Sequence, residues 1–97
     1  MKETGIRPQV LKEIRDLAEI YEVKKVILFG SRARGDYKRV SDIDLAVTGG
    51  NIAAFSLDVD EETSTLLKYD IVNLDASVQQ ELLESIQKEG IILYEKV

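Results

Sequence analysis

The chain contains no histidine and no cysteine among its 97 residues. That excludes Ser-His-Asp and Cys-His nucleophilic catalysis, and it excludes typical zinc sites, which are built from the same residues. Disulfides are excluded too, and a cytoplasmic location is the expectation. Acid–base work then falls to a carboxylate, a lysine, a tyrosine or a metal-bound water, so oxygen-ligand metal chemistry becomes the leading route to catalysis. No apolar run approaches the ~20 residues that a membrane span requires. Met1-Lys2-Glu3-Thr4 lacks the apolar stretch of a signal peptide, so no membrane association is expected. Basic residues are in the minority, 13 against 18 acidic, for a net charge of -5. Direct, sequence-independent binding along a nucleic-acid backbone needs clustered Lys and Arg and is not expected. With 44% hydrophobic residues, the length suits one domain over 1–97 with a modest core and no second domain to hold a substrate.

Pro8 stands at the start of a helical pattern, where its missing N–H costs nothing. Val10, Ile14, Leu17 and Tyr21 recur at helical spacing and predict an amphipathic helix over 8–22. A strand over 23–29 follows, then a short helical turn from Ser31 ended by Gly35. The run 41–47 alternates as a strand. Gly49-Gly50 breaks the chain, and Asn51 is placed to cap a helix over 52–64. Residues 66–74 read as a third strand. Ser77-Val78-Gln79-Gln80 has capping-box form and predicts a helix with Val78, Leu82, Leu83 and Ile86 as its buried stripe. Gly90 is its predicted stop, and 91–94 add a short last strand. The expected class is α/β (α+β), a single mixed sheet backed by helices.

Chemistry concentrates in one stretch: Gly30-Ser31, ten residues, then Asp42-Ile43-Asp44. Glycine lets backbone N–H groups approach a phosphate, and the serine hydroxyl adds a donor. Period-two alternation puts Asp42 and Asp44 on one face, while Ile43, Leu45 and Val47 anchor the other. Aspartate has low strand propensity, and local rules tend to be broken at functional sites. A divalent cation would cancel the repulsion, since Mg²⁺ takes carboxylate oxygens together with those of a phosphate. Asp70 interrupts the next apolar strand. If that strand neighbours the Asp42/Asp44 strand, three carboxylates converge as two-metal transfer chemistry requires. Arg32, Arg34, Lys38 and Arg39 form the dense basic cluster, suited to neutralising a triphosphate. Each part alone is ordinary: a Gly-Ser bend punctuates many strands, and a loop arginine often only balances nearby acids.

Together, Gly30-Ser31-Arg32-Ala33-Arg34-Gly35, the gap, and Ser41-Asp42-Ile43-Asp44-Leu45-Ala46-Val47 resemble the signature of the DNA polymerase β-type nucleotidyltransferase superfamily. The short chain is similar to its minimal members, the MntA-like antitoxins. The resemblance implies a polymerase β-like fold and a transferase that uses Mg²⁺, two ions, and ATP to move AMP to a hydroxyl. Asp42, Asp44 and Asp70 would hold the metals, with Asp70 also the general base. Gly30 and Ser31 would grip phosphate, with Arg32 and Arg34 beside them. It also implies a partner, a HEPN-type RNase toxin silenced by AMP on a tyrosine, as in type VII-like toxin–antitoxin pairs. Two alternatives stay open: a non-catalytic antitoxin that neutralises by binding, and a nucleotidyltransferase acting on a small-molecule hydroxyl.

Overall fold

A computed structural model describes residues 3–97; the Met1-Lys2 part of the N-terminal reading lies outside them. The elements run α1 (Pro8–Ile20), β1 (Lys25–Phe29), α2 (Ser31–Arg34), β2 (Ile43–Thr48), α3 (Ile52–Glu62), β3 (Tyr69–Asn73), α4 (Gln80–Glu89) and β4 (Ile91–Glu95). This is the predicted order. The sheet order is β3-β2-β1-β4; β1 pairs antiparallel with β2 and β4, and β2 pairs parallel with β3. A mixed α+β sheet is therefore what the chain forms.

Strand alternation assigns the two faces. Val26, Leu28, Ile43, Leu45 and Val47 point to one side and pack with Val10, Ile14 and Ala18 of α1 and Ile52, Phe55 and Val59 of α3. On the other side Phe29 and Ala46 meet Ile86 of α4, with Ile27, Val72 and Leu82 partly covered. Pro8 opens α1 as expected, and the helix stops at Ile20 because Glu22 turns to φ 57. Asn51 caps α3 by accepting from the Ala54 N–H at 3.2 Å. Among the described residues, no helix is long and apolar enough to cross a membrane.

Several boundaries differ from expectation: the helix expected over 8–22 ends at Ile20, the strand expected over 23–29 begins at Lys25, and the helix expected over 52–64 ends at Glu62. Three others have a tertiary reason. The strand predicted over 41–47 begins at Ile43, and the one predicted over 66–74 begins at Tyr69, because Ile43 and Tyr69 are the first register partners. The helix predicted from Ser77 starts at Gln80, with no side-chain cap. Asp75 prevents an earlier start: its carboxylate accepts from Thr48 Oγ1 at 2.5 Å and the Gly49 N–H at 2.8 Å. The Asn73 side chain meanwhile accepts from the Asp75 N–H at 2.8 Å. This turn, tied to the end of β2, leaves Val78 outside the buried helical stripe.

Gly90 does end α4, but its backbone is ordinary, at φ -67 and ψ 145. Space explains it instead. A Cβ there would lie 2.4 Å from the Ile86 carbonyl oxygen and 2.5 Å from Ile27 Cγ2. Gly90→Ala is therefore expected to destabilise the fold by about 1–3 kcal/mol, as overpacking does, read as a lower urea midpoint at unchanged slope.

Candidate active site

The site forms where β1 ends and β2 and β3 begin. Phe29 is paired with Asp44, so the chain must leave β1 directly beside that carboxylate. Gly30 makes the exit at φ 75 and ψ -157, a region essentially restricted to glycine. A Cβ on Gly30 would stand 2.1 Å from Asp44 Oδ2. The glycine thus serves two demands at once, a backbone conformation and a carboxylate lying across its Cα. The Gly30 carbonyl then accepts from the N–H groups of Ala33 and Arg34, which closes the single turn of α2. Gly30→Ala is expected to cost about 2–4 kcal/mol from strain plus displacement of Asp44, and to lower activity more than stability. Urea denaturation and a turnover assay on the same preparation separate the two effects.

Asp70 meets the condition set by its sequence position. β3 lies next to β2, and Asp44 and Asp70 are register partners in the parallel pair. Paired residues of adjacent parallel strands share a face and are separated by about 4.8 Å of backbone. Both lie on the α4 side of the sheet, with Ala46 and Val72 as their next same-face neighbours. Asp42 stands just before β2 and is exposed, while Asp44 is half-buried. Burial raises the Asp44 carboxyl, the charges of Asp70 and Asp42 raise it further, and Arg34 and Arg32 oppose them; the outcome is a pKa of about 6.

The two arginines part company. Arg34 is exposed and reaches Asp36 at 3.3 Å and Glu89 of α4 at 3.2 Å. Arg32 is turned inward and is 1% exposed. Its guanidinium donates to the carbonyls of Ser41 at 3.0 Å, Thr4 at 3.0 Å and Arg39 at 3.3 Å. It also lies over the Tyr37 ring, 5.0 Å from the centroid. Read from sequence as a phosphate contact, Arg32 is here committed to clamping the loop that leads into Asp42. Ser31, half-buried at the first position of α2, stands where helical N–H groups lack intrahelical acceptors. Lys38 and Arg39 are exposed on the loop. Glu89 carries no sign of its place here in the sequence, because only the packing of α4 brings it to Arg34.

The donors available at this site are hard carboxylate oxygens, the chemistry a Mg²⁺ ion selects. The raised Asp44 reflects burial first and the nearby charges of Asp70 and Asp42 second, and a bound cation would offset both. Among the described residues, no three acidic side chains are gathered closely enough to enclose an ion unaided. One or two carboxylates per ion, completed by phosphate oxygens, is the arrangement these residues fit.

Comparison with known proteins agrees with this geometry. The family model "Polymerase beta, Nucleotidyltransferase" matches residues 12–97. A Methanocaldococcus jannaschii protein named "Putative protein adenylyltransferase MJ0604" is 40% identical over 82 residues, covering 74% of this chain and 79% of its own. A mutant MntA–HpeT toxin–antitoxin structure shares the fold at TM-score 0.69 and 21% identity. A toxin–antitoxin structure with AMP-PNP superimposes at TM-score 0.68 with 26% identity. Each of those two matches covers 89% of this chain and 73% of the other. With the glycine bend, the aspartate pair and the matched span in agreement, this chain belongs to the polymerase β nucleotidyltransferase family and is a nucleotidyltransferase.

Proposed function

We propose that the chain, one catalytic unit over 1–97, is a cytoplasmic antitoxin that transfers AMP from ATP to a tyrosine hydroxyl of a HEPN-type RNase toxin. The observation that carries this reading is the Asp44–Asp70 register pair with Gly30 packed against Asp44. Support for the nucleotide comes from the AMP-PNP complex of a related fold, and support for a protein acceptor from the adenylyltransferase name of the archaeal relative. Asp42, Asp44 and Asp70 would hold two Mg²⁺ ions, which when bound neutralise the triphosphate against the carboxylates. Ser31 and the amides opening α2 would orient the β- and γ-phosphates. The acceptor oxygen forms a bond to the α-phosphorus, and the bond from that phosphorus to the bridging oxygen breaks. Pyrophosphate departs with the electron pair, and the hydroxyl proton passes to Asp70.

The test uses the protein encoded beside this chain, with Mg²⁺ and either α- or γ-labelled ATP. Label is expected on the partner from the α position alone. Transfer that survives Asp42→Asn and Asp44→Asn together would overturn the metal site. Full protection of cells by that double variant at equal expression would instead favour neutralisation by binding.

A further inference from the structure

Sheet order gives the Asp42/Asp44 pair two unlike flanks. β1 and the Gly30–Ser31 bend occupy one, and β3, an edge strand with no outer neighbour in the described sheet, occupies the other. On the β3 flank a cavity of about 460 Å³ opens beside Asp42, lined by Val40, Leu66, Leu67 and Lys68. Its walls are not what folding alone would place in water. Leu66 is 104% exposed and Val40 77%. Lys68 is exposed as well, and among the described residues no carboxylate pairs with it. The groove is firmly placed against the site, because the Lys68 carbonyl accepts from the Ile43 N–H at 2.8 Å.

We infer that this groove docks the acceptor, as an extended segment of another protein presenting its hydroxyl between an apolar side chain and a carboxylate. The inference rests on the transfer reading above. Attack on the α-phosphorus must come opposite the departing pyrophosphate, hence from the flank away from the phosphate-side bend. Asp70, the neighbour suited to take the hydroxyl proton, stands on that same flank. The apolar groups project outward instead of enclosing a small molecule, and an open strand edge favours an extended chain. Leu66 and Val40 would cover the apolar side chain, and Lys68 would pair with the carboxylate. The bonds made and broken are those of AMP transfer.

The experiment uses the whole chain with Mg²⁺, α-labelled ATP and three synthetic peptides. One carries tyrosine flanked by leucine and glutamate, one has serine for that leucine, and one has lysine for that glutamate. The first peptide is expected to be labelled at least tenfold more efficiently than the others. Leu66→Asp is expected to lower kcat/KM for it at least tenfold, through KM, while leaving AMP-PNP affinity unchanged. Lys68→Glu is expected to reverse the preference toward the lysine peptide, which a merely structural role would not do. A tenfold loss of AMP-PNP affinity in Leu66→Asp would assign the groove to the nucleotide and overturn the inference. Loss of a dimer on sedimentation of Leu66→Asp would assign the groove to a second copy and overturn it equally. Absent or groove-insensitive peptide labelling overturns it as well, while the encoded partner's own labelling still decides the transfer reading.

Discussion

Asp44→Asn is expected to abolish AMP transfer and, at the same time, to make the chain harder to unfold. The loss of transfer follows from removing a charge placed between the glycine bend and Asp70, on the order of 10³-fold. The gain in stability follows from the cost of keeping that charge. Asp44 titrates near 6 in the fold against 3.8 in a free chain, so folding is opposed once the group ionises. A carboxyl raised in this way contributes stability fully below about 3.8 and loses it as the pH climbs through about 6. Asparagine has no such loss. The gap between variant and parent should therefore be widest above pH 7 and close as the pH falls from 6 towards 4. Asp44 keeps contact with solvent, which trims the effect to about 1 kcal/mol, or roughly 4–8 °C for a domain of this size. Thermal melts of both proteins across that pH range measure it. An Asn variant that melts lower at pH 8 would remove the case for a partly buried, crowded carboxylate at position 44.

Replacement of Arg32 should give the largest loss of stability among the residues near the site. Three carbonyls depend on one buried guanidinium, and they belong to Thr4, Arg39 and Ser41, segments that no shared strand or helix holds together. Arg32→Ala leaves those acceptors without their donor and opens a cavity, at an expected cost of about 3–5 kcal/mol. Arg32→Lys retains the charge but not the planar fork, and should recover only part of that. Because Ser41 precedes Asp42, the lysine variant should also lose activity beyond its loss of stability. Equal stability of the Ala and Lys variants in urea would show that the fork geometry does not matter at this position.

Much of the fold was legible because local signals and tertiary outcome coincide. Pro8, Asn51 and the Gly49-Gly50 break sit where elements start and stop, and alternation around Ile43, Leu45 and Val47 assigns a face unambiguously. Asp42, Asp44 and Asp70 stood out because aspartate in an apolar strand breaks a propensity rule without a folding benefit. What escaped depends on partners distant in sequence. Ser77 has capping-box form, yet Asp75 is tied to Thr48 and Gly49, and that bond is invisible until β2 and β3 are adjacent. Leu66 reads as strand, but β2 offers it no register partner. Arg32 and Arg34 look equivalent in Ser31-Arg32-Ala33-Arg34; the helical turn sends one inward to Thr4 and the other outward to Glu89.

The parallel pairing of β2 with β3 carries a consequence for biosynthesis. β1 and β2 are joined by a short excursion, whereas Asp70 reaches Asp44 only after α3 has been made and the chain has crossed back. Pairings of large sequence separation form slowly, and chains emerge from the ribosome amino end first. A nascent chain that has exposed only residues up to the end of α3 holds two of the three acids and the glycine bend, but not the third. On the proposed transfer mechanism, AMP transfer would be deferred until translation has passed β3.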